Sequence, residues 1–141
     1  SCLVGSEMCI RDSDLCVELK KHYSVNLLSC ELDTLYLYTT DCDLIVNTTA
    51  LGMEGKSWDD LSFVKDLPKS CTASDIVYKP KETEFLTACL DHGLQVHYGL
   101  GMLIHQGVLA FKHFTGKDVE ADVFKQVLIK HLTSIKKDKY L

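Results

Sequence analysis

The sequence lacks several features that would assign a protein quickly to a class. No apolar run approaches the roughly 20 residues needed to span a bilayer, so we expect a soluble protein. Positive charge is not in excess: the net charge is −5 and the pI about 5.6, which argues against nucleic acid or an anionic membrane as the main partner. Internal repeats and low-complexity linkers are also missing. The 141 residues, 46% of them hydrophobic, suit one ordinary globular domain.

Paired cysteines are missing as well. The seven cysteines are odd in number and contain no CxxC pair, and the six histidines share no metal-binding spacing. Zinc sites and disulfide frameworks both need closer pairing than this. We therefore predict no metal site, and we interpret the cysteines as reduced thiols that act as small hydrophobic side chains in a cytoplasmic protein.

The first thirteen residues, SCLVGSEMCIRDS, do not have the pattern of a secretion signal, because a basic segment and a continuous apolar core are both missing. The string resembles the translated adapter sequence found at the ends of metagenomic contigs. We interpret residues 1–13 as a non-native segment. A genuine, poorly ordered N-terminus is the alternative.

Strand and helix patterns alternate from Asp14 onward. Short apolar runs without polar alternation, such as Leu44 to Asn47, are typical of strands buried on both faces of a parallel sheet. Alternation of strands and helices is the signature of a parallel α/β fold. The predicted strands are 25–28, 44–47, 74–78 and 94–98, and the predicted helices are 14–23, 30–40, 83–93, 99–115 and 118–137.

Local signals mark several ends and faces of these helices. Thr83 is predicted to cap the helix at 83–93, and Gly93 and Gly116 are predicted to end the helices that precede them. One face of the helix at 30–40 is expected to carry Leu32, Leu35 and Tyr36. The last helix is expected to carry an apolar stripe of Phe124, Leu128, Leu132 and Ile135.

Three loops follow the carboxyl ends of predicted strands: NTTALGM, YKPKET and GLGML. In parallel α/β sheets, ligands bind outside the carboxyl ends of the strands. We therefore expect these three loops to open at one edge of the sheet and to form the binding site.

The predicted helix that begins at Gly99 carries a glutamine in its apolar arc. On a helical wheel, Gln106 falls between Met102 and Ala110. A buried amide without a partner costs about 1–3 kcal/mol, so Gln106 must bond backbone, water, another side chain or a ligand. Composition alone favours a structural role. The nearby GLG stretch, where close approach of backbone to a ligand requires glycine, favours a ligand contact.

Three segments, DLIVNTTALGM, DIVYKPKETEFL and GLGMLIHQGVLAFKHFTG, together resemble the C-terminal portion of shikimate dehydrogenases. The resemblance covers about residues 14–132. It implies an NADP-dependent oxidoreductase of chorismate and aromatic amino acid biosynthesis, which interconverts 3-dehydroshikimate and shikimate by hydride transfer. The full-length protein is implied to be a monomer or homodimer that binds a small-molecule substrate.

The resemblance also implies a fold and a division of the chain. Residues 14–99 are expected to form a partial Rossmann-like NADP-binding domain, an α/β unit whose parallel sheet lacks its first strands. Residues 100–141 are expected to form C-terminal helices that pack toward a substrate domain.

Site residues follow from the same resemblance. Tyr78 and Gln106 are implied to bind the substrate, and the alternative for Tyr78 is an ordinary aromatic residue at a strand end. Ordinary turn chemistry is the alternative for the loop after the second predicted strand. The positions implied to contact NADP are Asn47, Thr48, Thr49, Ile76 and Gly99.

Some parts of the family pattern do not occur in this sequence. No Lys/Asp pair matches the family's catalytic motif, so we assign no catalytic residue and expect the chain alone to be inactive. The glycine-rich turn that binds pyrophosphate and the basic segment that grips the 2′-phosphate are also absent, so NADP rather than NAD is implied by the family alone. Tyr98 stands where the family often has Asp or Asn. A non-catalytic binding module and a paralogue acting on quinate or an aminated analogue are the alternatives.

Overall fold

The computed structural model describes residues 3–4 and 9–138. The chain divides into two compact units, Ser1–Tyr98 and Gly99–Leu141, and each is described by itself. In the first unit, the strands are β1 (Leu3–Val4), β2 (Ser29–Cys30), β3 (Leu44–Asn47), β4 (Thr72–Asp75) and β5 (Gln95–His97), the α-helices are α1 (Cys9–His22) and α2 (Glu84–Asp91), and two 3₁₀ helices span Leu32–Tyr38 and Ser62–Asp66. In the second unit, the helices are α3 (Gly99–Thr115) and α4 (Ala121–Asp138).

A parallel sheet with the strand order β3-β4-β5 forms the centre of the first unit. Leu44 lies opposite Thr72, and Thr72 lies opposite Gln95. The two short strands β1 and β2 form a separate parallel pair. The predicted α/β fold with a parallel sheet is therefore confirmed.

One face of this sheet is covered by α2 and by the two 3₁₀ helices. The only tryptophan, Trp58, stacks on Phe85 with ring centres 5.7 Å apart, and Phe63 completes the aromatic cluster at 6.1 Å from Trp58. Burial of each large apolar side chain contributes about 1.5–3 kcal/mol. The core consists of Leu35, Phe63, Val64, Leu67, Cys71, Ala73, Phe85, Leu86, Cys89 and Leu94.

The other face of the sheet is open at β3. The bounds predicted for this strand are confirmed, but the prediction that both its faces are buried is wrong. Leu44 is 58% exposed and Val46 is 43% exposed, whereas Asn47 is buried. Since successive side chains of a strand point to opposite faces, only the face that carries Ile45 and Asn47 meets the core.

Two strand predictions are displaced along the chain. The strand predicted at 25–28 lies at β2, immediately after it, and the strand predicted at 74–78 lies at β4, two residues earlier. β4 ends at Asp75 because the carboxylate of Asp75 accepts the backbone N–H of Val77 at 2.8 Å. A side chain thus takes the N–H group that a longer strand would use.

Local signals placed α2 correctly. The hydroxyl of Thr83 accepts the N–H of Leu86 at the start of this helix, as expected of an N-cap residue. Gly93 follows its end with φ +87°, a conformation that glycine adopts without strain. Phe85, Leu86 and Cys89 are buried on the face toward the core.

The segment predicted as a helix at 30–40 forms a 3₁₀ helix. Leu35 is buried and Leu32 partly buried, but Tyr36, expected on the same face, is exposed. The reason is the repeat of three residues per turn, which aligns positions 32 and 35 and turns position 36 away.

Helix α1 begins at Cys9, inside the segment interpreted as non-native, and β1 lies in it too. The remaining residues of that segment before the helix, 1–2 and 5–8, lie outside the described residues. The interpretation of residues 1–13 stays a prediction.

The second unit is a helical hairpin. Gly116 ends α3 with φ +69°, as predicted. α4 starts at Ala121, three residues later than predicted, and it crosses α3 closely: a β-carbon at Gly107 would lie 2.5 Å from the ring of Phe124. Phe124 and Leu128 are the partly buried members of the predicted apolar stripe, while the side chains of Leu132 and Ile135 lie outside the described residues. None of the described helices combines the length and apolar character that crossing a membrane requires.

Candidate functional site

The loop after β3 is organised by one buried amide. The Oδ1 atom of Asn47 accepts the backbone N–H of Thr49 at 3.0 Å and its hydroxyl at 2.7 Å. The Nδ2 atom donates to the carbonyl of Leu51 at 3.0 Å and to the carboxylate of Asp75 at 3.1 Å. Both polar atoms of Asn47 are thus engaged within the protein, and the side chain shapes its own loop.

A buried carboxylate joins this loop to the next one. Asp75 is 1% exposed, and its Oδ1 atom accepts from Asn47 and from the N–H of Val77. Its Oδ2 atom accepts the hydroxyl of Thr83 at 2.7 Å, and Thr83 in turn caps α2. Asp75 therefore links the ends of β3 and β4 to the start of α2. We call Asp75, Asn47, Thr49 and Thr83 together the Asp75 network.

Sequence reasoning did not single out Asp75. The residue stands in the segment DIVYKPKETEFL, three positions before Tyr78 and eight before Thr83. An aspartate inside a predicted buried strand, where a charged side chain needs partners, followed eight residues later by a helix N-cap, is the signal that could have identified it.

The residues predicted to bind ligands in the first unit lie at one edge of the sheet. Asn47 and Asp75 lie opposite each other at the carboxyl ends of β3 and β4, and the N–H of Ile76 donates to the carbonyl of Asn47 at 3.1 Å. Thr48 is exposed and Tyr78 is 42% exposed, so both are open to solvent. Two of the three predicted loops thus share an edge, as parallel strands require.

Gly99 and Gln106 belong to the second unit. They lie on the same face of α3, two turns and about 10 Å apart at 1.5 Å per residue. The expectation that Gln106 is buried is wrong, because its side chain is exposed. Its neighbours Met102 and Leu109 are 49% and 68% exposed, so this part of the arc is open and no buried amide requires a partner.

Tyr98, the departure from the family pattern, is partly buried and packs against the core of the first unit. The ammonium group of Lys81 lies 4.9 Å from the centre of its ring, within the range of a cation–π contact. Position 98 therefore carries an aromatic ring with a cation beside it.

A mostly apolar cavity lies beside β3. Its walls include Leu35, Cys42, Asn47 and Trp58. The indole Nε1 of Trp58 is buried and has no hydrogen-bond partner among the described residues. Over the described residues, no group of three or more His, Cys, Asp or Glu side chains could hold a metal ion.

The family model and the curated relatives that this chain matches belong to the same family. Residues 99–129 match the family model described as "Shikimate 5'-dehydrogenase C-terminal domain". A curated relative, the shikimate dehydrogenase (NADP(+)) of Streptococcus gordonii, is 39% identical over 114 residues, which are 78% of this chain and 39% of that protein. The chain thus spans about two fifths of the length of the curated relatives it matches.

Solved structures show the same fold. The quinate dehydrogenase of Corynebacterium glutamicum in complex with NAD is 25% identical, with a TM-score of 0.79 over 92% of this chain and 45% of that one. The shikimate 5-dehydrogenase of Listeria monocytogenes in complex with shikimate and NAD is 22% identical, with a TM-score of 0.80 over 90% of this chain and 46% of that one. The predicted Rossmann-like fold is confirmed by these likenesses.

Proposed function

Because this chain belongs to the shikimate dehydrogenase family, whose C-terminal portion it matches, we propose that it forms part of an NADP-dependent oxidoreductase. The whole enzyme interconverts 3-dehydroshikimate and shikimate on the route to chorismate and aromatic amino acids, in the cytoplasm. The observation that carries this proposal is the 39% identity over 114 residues to a shikimate dehydrogenase named for NADP(+). The three family motifs, which occur in order along the chain, support it.

In this proposal, the loops after β3 and β4 and Gly99 contact the cofactor. Thr48 directly follows β3 and is exposed, and it is therefore available to a ligand. Asn47 and Thr49 serve the cofactor indirectly, because the Asp75 network already uses the polar atoms of Asn47. The backbone of Ile76 lines the nicotinamide ring of the cofactor in this proposal.

Tyr78 and Gln106 bind the substrate in this proposal. A phenol and an amide can hydrogen-bond the hydroxyls and carboxylate of a small acid without adding charge. The exposure of both side chains supports this role, since neither is needed to satisfy a buried partner.

The division of the chain also enters the proposal. Residues 14–99 form the partial NADP-binding domain, and residues 100–141 pack toward a substrate domain that supplies the catalytic lysine and aspartate. Exposed apolar side chains in the second unit support such a packing surface, because their burial against another domain is favourable. They are Met102, Leu109, Phe114, Val123 and Val127.

A fusion enzyme tests this function. Residues 14–141 replace the matching C-terminal portion of the Streptococcus gordonii relative, and the oxidation of shikimate is followed by the appearance of reduced cofactor. We expect activity with shikimate and NADP(+), and weaker activity with quinate or with NAD. A folded fusion that oxidises neither acid with either cofactor would contradict the proposal.

A further inference from the structure

Two thiols lie side by side at the amino ends of neighbouring strands. Cys42 precedes β3 and Cys71 precedes β4, and their sulfur atoms are 3.9 Å apart. The parallel ladder fixes the backbones on which they sit, with the N–H of Thr72 bonded to the carbonyl of Asp43 at 2.9 Å. We propose that Cys42 and Cys71 form a disulfide site, which closes when a small disulfide such as oxidised glutathione supplies the oxidising equivalents.

The two thiols differ in access, which sets the order of events. Cys71 is fully buried, whereas Cys42 is partly exposed and lines the cavity beside β3. An external disulfide therefore reaches Cys42 first. The sulfur–sulfur separation exceeds the 2.05 Å of a disulfide by about 2 Å, a gap that side-chain rotation must close.

The chemistry consists of two exchange steps. The Cys42 thiolate attacks one sulfur of the small disulfide, so that a mixed disulfide forms and one small thiolate leaves. The Cys71 thiolate then attacks the Cys42 sulfur, which forms the Cys42–Cys71 bond and releases the second small thiolate. Two protein thiols are oxidised, the small disulfide is reduced to two thiols, and the two protein protons pass through solvent to these thiols.

The second step is limited by the Cys71 thiolate. In the reduced protein, burial, and next the adjacent Cys42, raise the pKa of Cys71 from 9.0 to about 11, and the negative charge of Asp43 adds to this. In the mixed disulfide Cys42 carries no charge, so burial and Asp43 are the causes that keep the pKa of Cys71 above its ordinary value. Since only the thiolate attacks, the rate of closure rises about tenfold per pH unit below that pKa. On the α2 side, Cys89 competes poorly as a partner, because burial raises its pKa to about 12.

The thiol pair and the ligand loops lie at opposite ends of the strands. Cys42 and Cys71 stand at the amino ends of their strands, and the ligand loops follow the carboxyl ends. The inference therefore does not rest on the proposed function, and its test requires no enzyme activity.

The experiment uses the whole 141-residue chain. The reduced protein is incubated with oxidised glutathione at about pH 8 and about pH 9, remaining thiols are blocked with N-ethylmaleimide, and the intact mass and proteolytic peptides are measured. We expect a product that has lost two hydrogens and contains a Cys42–Cys71 cross-linked peptide pair. It should form about tenfold faster at the higher pH.

Three variants make the result specific. Cys42→Ser and Cys71→Ala should each abolish the cross-link, and Cys30→Ser, which changes another partly exposed thiol, should leave it unchanged. Far-UV circular dichroism checks that each variant is folded. If Cys71→Ala does not fold, Cys42→Ser decides the question alone. A stable glutathione adduct on Cys42, a cross-link between Cys71 and Cys89, or no loss of hydrogens in the folded chain would each overturn the proposal.

Discussion

Asp75 is the residue on which the local structure of the candidate site depends most. Its carboxylate accepts three hydrogen bonds, from Asn47, Val77 and Thr83. A buried carboxylate is tolerated because these donors replace the water it has lost. The network gives a structural reason for an aspartate and a threonine eight residues apart in the segment DIVYKPKETEFL.

The substitution Asp75→Asn tests this role. An amide of the same shape keeps one acceptor oxygen but turns an NH₂ group toward donors, so the variant should lose about 2–3 kcal/mol in the free energy of unfolding. Urea unfolding followed by the fluorescence of Trp58, the only tryptophan, measures the change. The exposed Asp91 offers the control: Asp91→Asn should change stability by less than about 0.5 kcal/mol. Equal stabilities of the two variants would show that the network contributes little.

The buried thiol of Cys89 predicts a dependence of stability on pH. Burial raises its pKa from 9.0 to about 12, with Cys71 and Asp75 adding to the effect. The folded state holds this proton more tightly than the unfolded chain, so its contribution is complete below about pH 9 and declines as the pH rises toward 12.

The measurement is the urea midpoint at about pH 8 and about pH 10 for the unsubstituted chain and for Cys89→Ala. We expect the midpoint to fall more steeply in the unsubstituted chain, because the variant lacks this titrating group. Parallel declines in the two proteins would contradict the prediction.

The contact between α3 and α4 depends on a glycine in the first helix and an aromatic ring in the second. Gly107 leaves room for the ring of Phe124, and a β-carbon there would approach two ring carbons to 2.5 Å. Such close approach is a reason for glycine inside a helix, where it otherwise costs up to about 1 kcal/mol relative to alanine. The close packing of the hairpin therefore depends on glycine at position 107, which has no side chain, opposite the large ring of Phe124.

Gly107→Ala should lower the stability of the helical hairpin despite its better helix propensity. Gly101→Ala is the matched control on the same helix, because a β-carbon there meets nothing within 4 Å, and it should be neutral or stabilising by up to about 1 kcal/mol. Thermal unfolding followed by circular dichroism distinguishes them. The double change Gly107→Ala with Phe124→Leu should recover part of the loss, and an absence of coupling between the two positions would refute this packing argument.

The residues proposed to bind ligands occur in both units of the chain. Tyr78 belongs to the first unit, and Gly99 and Gln106 belong to the second. In the proposed enzyme, a substrate domain completes the site with the proton-transferring groups. We therefore expect the 141-residue chain alone not to reduce 3-dehydroshikimate with NADPH, and measurable turnover by the purified chain would contradict this.

In the fusion enzyme, Gln106→Ala should weaken the turnover of shikimate more than it weakens folding. Loss of one hydrogen bond to the substrate corresponds to about a tenfold decrease in kcat/KM. The melting temperature should stay nearly unchanged, because the side chain is exposed. Tyr78→Phe should behave in the same way. A collapse in stability with normal kinetics of the folded fraction would instead assign Gln106 a structural role.

The sequence by itself determined the features that depend on near neighbours: the alternation of strands and helices, the cap at Thr83, and the glycines that follow α2 and α3. Their signals lie within a few residues, where backbone sterics and side-chain hydrogen bonds act directly. Only the tertiary structure decided where β4 ends, which face of β3 is covered, that Gln106 is exposed, and that Cys42 meets Cys71. These depend on what packs against each residue from distant parts of the chain, and no local pattern of residues contains that information.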